Sequence, residues 1–81
     1  MIQLTIITPD LKVFEGEVDS VILPGNQGQF QLLKDHAPMV STLAKGDLFY
    51  EEAGTKKSMI VDGGVVEVSK NKVLVLAEAV L

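Results

Sequence analysis

Polar and apolar positions alternate along this chain with a period of two. Ile2, Leu4 and Ile6 share one face against Gln3 and Thr5. Phe14, Gly16 and Val18 alternate with Val13, Glu15 and Glu17; Phe30 and Leu32 with Gln29 and Gln31; Val66 and Val68 with Glu67 and Ser69. That period marks a strand with one face inward and one wet. The run Val73-Leu74-Val75-Leu76-Ala77 is apolar at every position, which predicts a central strand covered on each side by the fold, or by a partner. No stretch of ten or more residues carries a 3.6 period, so no helix is predicted.

Turn signals divide these runs. They are Thr8-Pro9-Asp10, Pro24-Gly25 with Gly28, His36-Ala37-Pro38, Gly46, Gly54, Gly63-Gly64 and Lys70-Asn71. The intervals hold about five to eight residues, the ordinary length of strands. About eight or nine short strands at such spacing predict an all-β flattened sandwich or barrel. No linker, repeat or boundary breaks the chain, so residues 1–81 read as one domain.

Composition supports strands and removes several function classes. Eleven Val, five Ile and four Thr give a heavy β-branched load. Cysteine is absent, so neither a disulfide nor a thiolate metal site can brace the core. The net charge is −4, and all seven basic residues are lysines. Nucleic-acid binding calls for clustered Lys and Arg, which this chain lacks. Lys56-Lys57 is the longest basic run and reads as a solvated hairpin tip. The start lacks the charged and apolar regions of a signal peptide, and no apolar run reaches the ~20 residues of a membrane-spanning helix.

Reaction chemistry finds little support. His36, Ser41, Asp35 and Asp47 allow a triad on paper, but nothing supplies a base held against a nucleophile or an oxyanion hole. One histidine with scattered carboxylates has no metal-ligand spacing. Gly25-Asn26-Gln27-Gly28 opens onto strand-like residues, so it fits a hairpin better than a phosphate cradle. Glu15, Glu17 and Asp19 read as solvated positions. The polar, weakly charged loops around Gln27, Gln29, Gln31 and Lys34-Asp35-His36 suit recognition. The residues alone describe a binding module, with no catalytic, metal or cofactor site.

Several motifs carry a resemblance. Leu4-x-Ile6-x-Thr8-Pro9 leads into Phe14-x-Gly16-x-Val18, then Pro24-Gly25-x-x-Gly28-x-Phe30 and His36-Ala37-Pro38. Gly63-Gly64-x-x-Glu67-Val68 and Asn71-x-Val73-x-Val75-Leu76-Ala77-Glu78 follow. In this order the series resembles the epsilon subunit of rotary F-type ATP synthase, over nearly the whole chain. The resemblance implies about ten short strands in two sheets at the foot of the central stalk. It implies a non-catalytic role linking the gamma subunit to the membrane c-ring, so that proton flow is coupled to ATP synthesis. Thr8, His36 and Ser41 fall where the family meets gamma; Asn26, Gln27, Gln29 and Gln31 fall where it meets the c-ring. The family often has a glycine at the position of Gln31 and an acidic residue at that of Gln29, where a glutamine supplies no charge-assisted bond to the ring but leaves amide hydrogen bonds available. No cofactor is implied. Location is expected at the cytoplasmic face of the bacterial inner membrane, as a peripheral subunit. Strands take up these 81 residues, so the helical C-terminal domain that many members of the family carry is not expected among them. A free-standing β-barrel that binds a small ligand is the alternative, and it requires an apolar interior pocket.

Overall fold

The computed structural model describes all 81 residues, and every regular element in it is a strand. The strands are β1 (Ile2–Ile7), β2 (Lys12–Val18), β3 (Ser20–Gly25), β4 (Gly28–Leu32), β5 (Met39–Glu52), β6 (Thr55–Ser69) and β7 (Lys72–Ala77). They form one hydrogen-bonded ladder in the order β2-β1-β7-β6-β5-β3-β4. All neighbours are antiparallel except β1 and β7, which run parallel.

The count is seven rather than about ten, because β5 and β6 are long. They have 14 and 15 residues. Straight, each would measure roughly 45 Å at ~3.3 Å per residue, yet the longest dimension of the molecule is 25 Å. Both strands therefore bend, and each serves two layers. One layer holds β2, β1, β7 and the adjoining halves of β6 and β5. The other holds the remaining halves of β6 and β5 with β3 and β4.

The bend shows in the burial pattern. In β5 the inward residue is Leu43 before it and Leu48 and Tyr50 after it; in β6 it is Val61 before and Val66 and Val68 after. The inward parity switches from odd to even in both strands, around Leu43–Gly64, where the pairing skips the Ala44–Gly63 rung. Gly63 and Gly64 take positive φ of 73° and 129°. A Cβ on Gly64 would run into the Leu76 carbonyl oxygen, so glycine is what lets β7 pass this close to the turn-over. Gly63-Gly64, read from sequence as a break between strands, is thus a bend inside β6, and Gly46, read the same way, lies within β5 paired with Val61.

True turns stand elsewhere. Ala53-Gly54 and Lys70-Asn71 are two-residue connections with positive φ at both positions, as a type I′ hairpin requires. Lys56 and Lys57 lie within β6 beside the first of these, so the hairpin tip itself is Ala53-Gly54. At Thr8 the hydroxyl oxygen accepts from the amides of Asp10 and Leu11, each at 3.3 Å, so Thr8 rather than Asp10 closes that turn.

Sixteen apolar side chains form a single core with no buried polar group among them. Ile2, Leu4 and Ile6 of β1 face Leu23, Leu32 and Leu48 from the other layer's strands. Phe14 and Tyr50 close the open side, their ring centroids 4.6 Å apart. The Asp19 amide donates to Glu51 O at 2.7 Å along the same seam. Beyond β7 the chain runs beside the first half of β6: Asp62 N donates to Ala79 O and Leu81 N to Ile60 O, both at 2.9 Å.

Candidate functional site

Two surfaces are candidates, and the strand register defines the first. Side chains on the outer face of the first layer fall into rungs. One rung runs Ile7, Leu76, Val65, Thr42. The next runs Thr5, Leu74, Glu67, Val40. The third is Gln3, Lys72, Ser69. Ile7, Leu74, Leu76 and Val65 are half-buried, and Val40 is 72% exposed, so an apolar strip crosses the sheet with nothing from this chain above it. The all-apolar run of β7 is explained here: Val73, Val75 and Ala77 fill the core, while Leu74 and Leu76 face outward. The strip is larger than scattered single apolar residues would make.

Thr8 and His36 stand at opposite ends of this face. Thr8 follows Ile7 and borders a groove with Ile7, Pro9, Leu76 and Glu78. His36 lies beyond the other end, on a loop joined to the Lys70-Asn71 hairpin. Its backbone amide donates to Leu33 O at 3.3 Å, closing a turn in which Asp35 has φ 65°. The ring Nδ1 lies 2.7 Å from Ala37 O. A carbonyl can only accept, so in this contact Nδ1 is the donor.

Ser41 belongs to the second surface. In β5 it shares the inward parity of Met39 and Leu43, away from the apolar strip. It lines a polar groove of about 460 Å³ with Thr42 and the β3–β4 hairpin from Gly25 to Phe30. Asn26 Nδ2 donates to Thr42 Oγ1 at 2.6 Å, which ties the hairpin tip to β5. Asn26, Gln27 and Gln29 thus come together with Ser41. Gln31, two residues on, lies on the outer face of the second layer beside Ile22, Phe49 and Lys56. Thr42 was not singled out from sequence; nothing local marks it, since its partner Asn26 is 16 residues away.

The arrangement gives reaction chemistry no footing. The Asp35 carboxylate bonds to Asn71 rather than to His36, and the Ser41 hydroxyl to the Thr42 carbonyl. No three His, Cys, Asp or Glu side chains gather as a metal site would need. The core is filled and the grooves open at the surface, which leaves no interior chamber of the kind a ligand-binding barrel needs.

Fold and surfaces together define a small β-sandwich with an uncovered apolar strip on one layer and a polar groove at its β3–β4 hairpin. Over residues 1–81 the sequence matches the profile described as "ATP synthase, Delta/Epsilon chain, beta-sandwich domain". The chain belongs to that family. It is 46% identical over 78 residues to the ATP synthase epsilon chain of Nitratidesulfovibrio vulgaris, covering 96% of this chain and 58% of that one. Against the epsilon chain of Symbiobacterium thermophilum the identity is 47% over 77 residues, covering 94% and 55%. A chain in the Euglena gracilis mitochondrial ATP synthase OSCP/F1/c-ring structure superposes with a TM-score of 0.92 at 28% identity, covering 99% of this chain and 52% of that one. One from the central stalk and c-ring of Tetrahymena thermophila mitochondrial ATP synthase, at 16% identity, shares the fold with a TM-score of 0.82, covering 99% and 65%. The chain therefore spans a little over half the length of the curated relatives it matches.

Proposed function

We propose that this sandwich serves as the non-catalytic coupling domain of a central-stalk epsilon subunit. It holds the gamma subunit on its apolar face and meets the c-ring through its polar hairpin. By that link, proton flow through the ring is coupled to ATP synthesis, and the domain sits at the cytoplasmic face of the bacterial inner membrane. The observation that carries the reading is the unpartnered strip of Ile7, Leu74, Leu76, Val65 and Val40. A subunit that turns with a shaft needs a desolvated hold on it, and apolar interface centres supply that. Thr8 and His36 bound the strip and contact gamma at its two ends. Asn26, Gln27, Gln29 and Gln31 offer uncharged amide donors and acceptors to the ring's polar loops, and Ser41 joins this group at the base of the hairpin.

Leu76→Asp tests the reading, because the side chain faces outward and is only half-buried. The variant is expected to keep its thermal melt within a few degrees of the parent. Its affinity for purified gamma, measured by calorimetry, should fall at least tenfold, as for a residue central to an interface. Unchanged affinity would remove gamma from this face.

A further inference from the structure

Asn71 occupies a junction that joins three segments distant in sequence. Its side-chain oxygen accepts from the Asp35 amide at 2.6 Å, and its side-chain nitrogen donates to Asp35 Oδ1 at 3.1 Å. Its backbone carbonyl accepts from Gln3 N at 2.8 Å. Asp35 and Asn71 both take the left-handed conformation, with φ of 65° and 61°. Asp and Asn tolerate that region better than other side-chain-bearing residues. The pair thus forms a reciprocal clasp, with each residue pre-shaped by its own turn.

The clasp closes on the residue directly before His36. The loop from Leu33 to Pro38 has no strand pairing of its own; its internal ties are the His36 N to Leu33 O bond at 3.3 Å and the contact of His36 Nδ1 with Ala37 O at 2.7 Å. Leu33 is 54% exposed, so burial does not anchor the loop at that point. We propose that Asn71 is the positioning residue of the His36 loop, and that the contact His36 makes with gamma depends on Asn71 holding Asp35. This rests on the reading of His36 as a gamma contact. The energetic logic is preorganisation: a loop already ordered when the partner arrives loses less freedom on binding.

Asn71→Gly isolates the effect, because glycine keeps the positive φ and the carbonyl that receives Gln3 N while deleting the clasp. Hydrogen exchange at the Asp35 amide in the isolated domain should accelerate, with the melt little changed. Affinity for gamma should fall roughly threefold to tenfold, the scale of one or two net hydrogen bonds. His36→Ala should weaken the parent by a similar factor and add little in the Asn71→Gly background, because the two act through one contact. The exchanged pair Asp35→Asn with Asn71→Asp retains a carboxylate–amide clasp and should recover most of the affinity. If His36→Ala weakens binding while Asn71→Gly does not, the positioning role is overturned and the loop contact stands. If His36→Ala leaves affinity unchanged, the reading of the loop falls and the inference with it. Should Asn71→Gly lose its fold, failure of the exchanged pair to restore affinity overturns the proposal, and recovery supports it.

Discussion

A few single positions carry constraints that neighbouring residues do not share. Gly64 combines positive φ with a Leu76 carbonyl where a side chain would stand, whereas Gly54 has positive φ of 81° and open space around it. Gly64→Ala is therefore expected to cost about 2–4 kcal/mol, from strain and displaced backbone together. Gly54→Ala should cost only about 1 kcal/mol, from conformation alone. Urea melts of the two variants separate steric clash from φ preference, and equal losses would contradict the geometry. Charge pairing gives a second test. The Lys57 ammonium lies 3.0 Å from Glu52 Oε1, and the hydrogen bond to Glu52, then its charge, raises the Lys57 pKa above 10.5. A raised folded-state value means that the pair's stabilisation is complete below the unfolded pKa and lost as pH climbs through the folded one. NMR titration of the Lys57 Nζ should show the raised midpoint, and Glu52→Gln should return it to the ordinary lysine value. Lys57 is exposed at the surface, so the effect should fade as salt is added.

Among the elements, the β5–β6 ribbon organises the rest, because it alone belongs to both layers. Its hairpin turn is Ala53-Gly54, with a non-glycine residue at φ 51°. Ala53→Asn supplies the Asn-Gly pair that type I′ turns favour, and should stabilise the domain by about 0.5–1 kcal/mol. A lower midpoint in thermal unfolding would refute the turn assignment. The ribbon also marks where reading the sequence reached its limit. A short strand with a clean period of two, such as Ile2–Ile7, was legible because one face is buried along its whole length. Gly63-Gly64 looked like an interruption because the inward parity switches there. A phase change and a turn leave the same local mark, and only cross-strand pairing tells them apart. Strand number was therefore overcounted while fold class was not. The candidate contacts divided in the same way. The hairpin residues Asn26, Gln27 and Gln29 were adjacent in sequence and stayed together in space. Ser41, grouped with Thr8 and His36 by the family resemblance, lies beside the hairpin, because strand parity turns it away from the apolar strip. The apolar strip lies in the double-faced run Val73–Ala77, whose outer residues read from sequence as covered either by the fold or by a partner; only the strand register shows that this chain leaves them uncovered.

Over the whole molecule, the two ends of the described chain meet at the centre of one layer. β1 pairs in parallel with β7 from Gln3–Lys72 to Ile7–Leu76, and β7 in turn separates β1 from β6. Removing residues 72–81 would leave β1 and β2 as a hairpin detached from the ladder, with Ile2, Leu4 and Ile6 no longer enclosed. That truncated chain is expected to lack a cooperative melt and dispersed amide resonances; a folded spectrum from it would contradict the central place of β7. Two-stranded hairpins are marginal alone in water, so β1 gains its lasting partner only when the last strand appears. The same pairing sets a timetable for synthesis. A ribosome making this domain releases the first strand early and its inner neighbour last, so Leu4 and Ile6 wait in the nascent chain without their final cover. Folding must close a loop of nearly the full chain length before the core is complete, which slows it relative to folds built from sequence neighbours. The domain is thus finished after translation of its last strand rather than during it, and the waiting apolar edge is where a holding chaperone would find the chain.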